Sequence, residues 1–228
     1  MSRFSVIIPT YDDNARLGGL LNQLRGLPRR PFEVLVVDGA KDEECKKICQ
    51  EQGAYWLPEE PCRGSQLLAG GAISQGDELW FLHADARLPF DPITAMESAF
   101  ERGAIGGYFR FCFDAPRAWP APVLERAIAL RCRFGTPYGD QGLFMTRQAY
   151  FEAGGHAPWP LFEEVALVRG LRRLGRFLPL RELLFVDSRR WQRDGWWRRT
   201  WLNRNLALAC ALGASPHKLA TRYRSKTT

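Results

Sequence analysis

Short apolar runs and helical apolar stripes take turns along the first third of the chain. Residues 4–8 form a β-branched apolar run stopped by Pro9, which predicts a strand and then a turn. Asp13 or Asn14 can cap a helix over 15–24, with Leu17, Leu20, Leu21 and Leu24 on one face. A second buried strand, 32–37, leads into Asp38-Gly39, and a charged helix over 42–52 turns Ile48 to the core. Residues 54–57 read as a short third strand. Arg63-Gly64-Ser65-Gln66 opens a helix that runs to Ile73, and Gly76 separates it from the apolar run 79–82. Four rounds of strand and helix specify an α/β fold with a mostly parallel sheet, flanking helices and right-handed crossovers.

The pattern then changes. A helix is expected over 93–101, an aromatic-rich strand over 104–113, and a helix over 119–134 after Pro116 and Pro120. A Gly- and Pro-containing loop, 135–142, leads into a strand at 143–146 and a short helix at 150–155. A helix over 160–174 carries Glu163 and Glu164 in its first turn. Short strands are expected at 177–180 and 183–186. Arginine and tryptophan then interleave from Arg189 to Trp201, followed by an apolar run at 206–212 and a basic turn from Ser215-Pro216. The tail after Tyr223 is expected to be disordered.

The run 79–82 has the character of a strand buried on both faces, and His83-Ala84-Asp85-Ala86 follows it directly. Open α/β sheets bind ligands outside the carboxyl ends of their strands. If the pleat continues, His83 and Asp85 share a side there and can hold a divalent cation against a phosphate. The structural alternative is that Asp85 caps the helix starting near Asp91. Gly70-Gly71 reads as a close helix–sheet contact. The dinucleotide fingerprint and the P-loop lysine motif are both missing.

Charge divides the chain. Residues 181–228 hold 11 Lys/Arg against 3 Asp/Glu, so the net +7 belongs to the C-terminal fifth. That excludes a uniformly cationic nucleic-acid binder and leaves a basic C-terminal face. The six cysteines have no C-x-x-C pair and no zinc-ligand spacing, and read as reduced cytosolic thiols. The start lacks the pattern of a signal peptide, and no stretch reaches the length of a membrane span.

Four motifs in order now carry a resemblance: Ser5-Val6-Ile7-Ile8-Pro9-Thr10-Tyr11, Val36-Val37-Asp38-Gly39, His83-Ala84-Asp85 and Glu163-Glu164. Together they resemble the family 2 glycosyltransferases of the GT-A fold. The runs 82–89 and Gly139-Asp140-Gln141-Gly142 resemble a small bacterial subgroup grouped with radical-SAM and selenium-associated genes.

The resemblance implies roles. Pro9, Tyr11, Asp13 and Asp38 would hold the base and ribose of a nucleotide-sugar, a UDP-sugar by default, with Arg63, Gly64 and Ala84 also on the donor side. His83 and Asp85 stand at the two acid positions of the D-x-D motif and imply Mn²⁺ or Mg²⁺ on the diphosphate. Glu164 would be the catalytic base, with Glu163 beside it. Asp140 and Gln141 would meet the acceptor. Arg189-Arg190-Trp191, similar to a Q/R-x-x-R-W motif, would bind acceptor or phosphate.

The stretch Gly39-Ala40-Lys41-Asp42 and the residues Ser65 and Leu68 depart from the family's usual pattern. The departures at Ser65, Leu68 and His83 support a second reading, a catalytically weak nucleotide-binding or regulatory module. A nucleotidyltransferase would want a Gly-rich, Lys-containing loop after the first strand, and none is there.

The expected organisation is a catalytic domain over 1–188 and a basic, Trp-rich helical extension over 189–228. Residues 189–212 are expected to lie against the domain, a second copy or an anionic membrane surface, where a lipid-linked acceptor would reside; a small-molecule acceptor is the alternative. The expected location is cytoplasmic or peripheral at the inner membrane face.

Overall fold

The computed structural model describes residues 2–89, 91–114 and 118–225. Pro116, expected ahead of a helix, and the end of the tail at 226–228 lie outside them.

The elements in order are β1 (Phe4–Thr10), α1 (Asn14–Arg25), β2 (Glu33–Asp38), α2 (Glu43–Gln52), β3 (Tyr55–Pro58), α3 (Arg63–Ile73) and β4 (Glu78–Phe81). They continue with α4 (Pro92–Glu101), β5 (Gly106–Phe113), α5 (Pro120–Phe134), a 3₁₀ turn (Gly139–Gln141), β6 (Phe144–Thr146) and α6 (Arg147–Glu152). The last are α7 (Glu164–Leu174), β7 (Phe177–Val186), α8 (Arg189–Asp194), α9 (Trp196–Ala211) and α10 (Pro216–Ser225).

The strands form one seven-stranded sheet in the order β3-β2-β1-β4-β6-β5-β7. Its pairings are parallel except those of β6, which runs antiparallel to both β4 and β5. The core is built on both faces. Leu17, Leu20, Leu21 and Leu24 of α1 pack with Val6, Ile8 and Trp80 on one side; Ile7, Val37, Leu79 and Phe81 meet Leu67, Tyr150, Leu167 and Leu171 on the other. Fully burying such aliphatic side chains contributes about 1.5–3 kcal/mol each.

Three local expectations change. Pro9 does not end β1. Its missing N–H falls on the β4 side, where pairing has stopped at Ile7–Phe81, while β1 stays paired with β2 up to Thr10–Asp38. The two expected strands at 177–186 are one, β7, because an irregularity opposite Tyr108–Arg110 absorbs the polar interruption. The helix expected at 150–155 starts earlier, at Arg147, where the Thr146 hydroxyl accepts from Ala149 N.

The C-terminal helices fold back on the sheet. Trp191 and Trp196 pack edge-on against Phe113, and Leu206 and Leu219 are buried with Phe162. Trp197, Trp201, Leu208 and Leu212 stay exposed. No helix among the described residues is long and apolar enough to cross a membrane.

Candidate active site

β1 and β4 end side by side, and a cleft of about 260 Å³ opens there. Leu82 N donates to Ile7 O, continuing the ladder one residue past β4. Ala86 N then donates to His83 O, and Arg87 exchanges both backbone bonds with Phe185 of β7. So His83-Ala84-Asp85-Ala86 is a turn pinned at both ends, not a continuing pleat. Asp91 takes the capping role at α4, accepting from Thr94 N, which removes the capping reading of Asp85. His83, Ala84 and Asp85 all line the cleft.

The end of β1 supplies Pro9, Thr10, Tyr11 and Asp13. Tyr11 is exposed, and Asp13 accepts from Arg16 at the start of α1. Arg63, the first residue of α3, reaches Glu163 through Nε (2.5 Å) and Nη2 (3.1 Å), a two-pronged pair on a carboxylate with no solvent exposure. Gly64 permits this. Its N–H donates to Trp159 O, and a Cβ there would sit 2.0 Å from Ala157 O.

Glu164 begins α7, one residue on. Its Oε1 accepts from Gly139 N at 3.2 Å, and its buried Oε2 has no partner among the described residues. Burial, with the Glu163 charge beside it, pushes the Glu164 carboxyl up to about 8. Burial also acts to raise Glu163, but the Arg63 charge and hydrogen bonds outweigh it and hold Glu163 below the usual carboxylate range.

Among the described residues, His83 Nε2 is buried without a partner, beside Gly139, whose hypothetical Cβ would lie 2.9 Å from it. Burial and then the Arg63 charge lower the imidazole to about 3, so it is neutral. Asp85 is half-buried and raised, by burial above all; the Arg190 charge opposes this. Asp140 lines the cleft with a buried, unpartnered Oδ1, and burial raises it too. Arg189, Arg190 and Trp191 complete the motif-bearing lining.

Four expected site residues lie elsewhere. Asp38 is fully buried and its carboxylate is spent: it accepts from Ala40 N and Asp42 N (2.8 Å each) and from Trp56 Nε1 (3.1 Å). It shapes the turn after β2 and does not reach the cleft. Gln141 is buried on Cys132 and Phe109 O. Gly64 and Glu163 stand behind Arg63. In their place the cleft gains Tyr138, Asp187, Asn203, Leu206 and Tyr223. Tyr138 lies in the loop 135–142 that the sequence marks. Nothing in the residue pattern marks Asn203 or Tyr223, because helix packing alone brings them in.

Among the described residues, no three His, Cys, Asp or Glu side chains gather to hold a metal ion. Asp85 and His83, the latter with an unprotonated nitrogen, both line the cleft and are donor types that suit a cation taking its remaining ligands from phosphate and water.

A family profile described as glycosyl transferase family 2 matches residues 5–155. The chain belongs to glycosyl transferase family 2. The match runs from β1 past α6 and stops short of Glu163, Glu164 and Arg190. No curated protein matches the chain by sequence.

Among solved structures, the chain is similar to glucosyl-3-phosphoglycerate synthase from Mycobacterium tuberculosis in complex with phosphoglyceric acid. The two are 17% identical, with a TM-score of 0.59 over 82% of this chain and 70% of that one. The same enzyme in complex with Mn²⁺, UDP and glucosyl-3-phosphoglycerate gives 15% and 0.55 over the same shares. S. aureus TarS 1–349 in complex with UDP-GlcNAc gives 14% and 0.63, over 81% of this chain and 58% of that one. At these identities the likeness is one of fold, and the fold of this family 2 chain is GT-A.

Proposed function

We propose that this family 2 chain is a metal-dependent, inverting glycosyltransferase. It moves a sugar from a nucleoside-diphosphate donor, UDP by default, to a hydroxyl of a small-molecule or lipid-linked acceptor. One observation carries the reading: a single cleft at the carboxyl edge of the sheet joins Asp85 and neutral His83, an anchored Arg63, and Glu164 with a buried unpartnered oxygen.

Glu164 takes the acceptor's hydroxyl proton at Oε2, and its raised pKa makes it a stronger base than an ordinary carboxylate. Arg63 spends Nε and Nη2 on Glu163, so it offers Nη1 to a phosphate oxygen. Pro9, Tyr11, Asp13 and Ala84 flank the donor, with Tyr11 exposed for stacking on a base. Asp85 and His83 would hold Mn²⁺ in preference to Mg²⁺, because one donor is a nitrogen. Such a cation supplies charge neutralisation on the departing diphosphate. That neighbours in the fold bind UDP with Mn²⁺, or UDP-GlcNAc, supports the choice of donor.

The test is nucleoside-diphosphate release from a panel of UDP- and GDP-sugars with Mn²⁺. Release from a UDP-sugar by the wild type, lost in Glu164→Gln while UDP still binds, is expected. Binding with no release from any donor, in both proteins alike, contradicts catalysis and leaves the weak-module reading.

For location, we propose contact with an anionic membrane surface through the outer face of α9. Trp197, Trp201, Leu208 and Leu212 are exposed there, and the helix carries arginines but no Asp or Glu. A second copy would set like charges against each other. Salt-sensitive sedimentation with anionic liposomes, weakened by Trp201→Ala, is expected; a protein left in the supernatant at low salt contradicts it.

A further inference from the structure

Among the described residues, the last helix reaches the cleft through Tyr223. α10 follows α9 after a turn in which Gly213 has φ +91°, and it docks by burying Leu219 against Phe162 and Leu206. That docking brings Tyr223, a cleft-lining residue, up to Arg190. Arg190 Nη1 donates to the Tyr223 hydroxyl at 2.9 Å. The guanidinium of Arg199 lies 4.5 Å from the Tyr223 ring centroid and that of Arg190 lies 6.0 Å away.

The neighbouring arginines differ. Arg189 is paired with Asp187 and Arg199 with Asp194, whereas among the described residues no ion pair includes Arg190. Its hydrogen-bond partner is a phenol, which orients a guanidinium without neutralising it. An arginine that lines a cleft and is oriented in this way keeps its charge for an incoming anion.

We infer that α10 is a working wall of the site: Tyr223 is a positioning residue that aims Arg190 at a phosphate group bound in the cleft. The inference rests on reading this cleft as a diphosphate site and adds the part played by the chain's last helix. The hydroxyl fixes one prong of the guanidinium and leaves the other nitrogens for phosphate oxygens.

Tyr223→Phe removes the hydroxyl and keeps the ring that packs beside Arg199, so the fold is retained. The experiment is titration of pyrophosphate and of UDP, each with Mn²⁺, into the full-length wild type, Tyr223→Phe, Arg190→Gln and the double variant, with thermal midpoints in parallel. Tyr223→Phe is expected to weaken both ligands about 3–10-fold at an unchanged midpoint, the scale of one ordinary solvent-exposed hydrogen bond. In the Arg190→Gln background the same change is expected to have no further effect, because the hydroxyl acts through Arg190. Wild-type affinity in Tyr223→Phe, or an equal loss with and without Arg190, overturns the inference and leaves the proposed function standing. A wild type that binds neither probe overturns both.

Discussion

Glu163 and Glu164 are adjacent and both buried, yet the structure holds them in opposite charge states. Glu163 faces the Arg63 fork and stays ionised; Glu164 faces the cleft and a neighbouring negative charge. The consequences for pH run in opposite directions. Glu164 is raised from 4.5 to about 8, so the folded state binds the extra proton and its contribution to stability is lost as pH rises through that window. Glu163 is lowered, so its contribution is present above 4.5 and lost as pH falls. The thermal midpoint of Glu164→Gln is therefore expected to fall less between pH 5 and pH 8.5 than that of the wild type. With Glu164 as the proposed base, ionisation is required, so wild-type kcat/KM is expected to climb toward about pH 8, and turnover in Glu164→Gln to drop ~10²–10⁴-fold with UDP affinity little changed. Glu163→Gln should separate from it. It leaves Arg63 without its carboxylate and is expected to cost roughly 3 kcal/mol in urea unfolding, the lower end for a broken buried pair because Arg63 keeps some solvent contact. Equal midpoints for the two variants would contradict this division of roles.

At the scale of elements, the sequence is most informative where one periodicity rules. The β-branched run of β1 and the Leu17, Leu20, Leu21, Leu24 stripe of α1 are legible because each buries a whole face. Gly70-Gly71 is legible too: a Cβ on Gly70 would meet Ile7 Cγ2 at 2.5 Å, and one on Gly71 would meet Tyr150 at 2.9 Å. Gly70→Ala is accordingly expected to destabilise by about 1–3 kcal/mol in chemical unfolding, with UDP affinity unchanged in the folded fraction. An unchanged midpoint would mean that α3 can slide on the sheet. The strand-end motif is legible as a cleft residue set, since carboxyl edges of parallel strands are where ligands go. Asp38 is not, because a strand-end Asp serves a turn as readily as a ligand, and here three donors occupy its oxygens. The order of strands β4-β6-β5-β7 and the arrival of Asn203 and Tyr223 at the cleft depend on contacts distant in sequence, which no local pattern encodes.

Across the whole molecule, the cleft is assembled from both ends of the chain. Pro9 to Asp140 come from residues 5–155, which the family profile covers; Glu164, Arg190, Asn203 and Tyr223 come from beyond it. Part of the basic surplus of the C-terminal fifth lines this cleft, where Arg189 and Arg190 join Asp13, Asp85 and Asp140. On the proposed reading, this lining receives a ligand that carries both phosphate and a bridging cation. The most direct measurement is calorimetric titration of UDP into the wild type and Asp85→Ala, with and without Mn²⁺. The account predicts saturable, Mn²⁺-dependent binding to the wild type that is lost in Asp85→Ala at an unchanged thermal midpoint. UDP binding with the same affinity in Asp85→Ala, or binding indifferent to Mn²⁺, would contradict it.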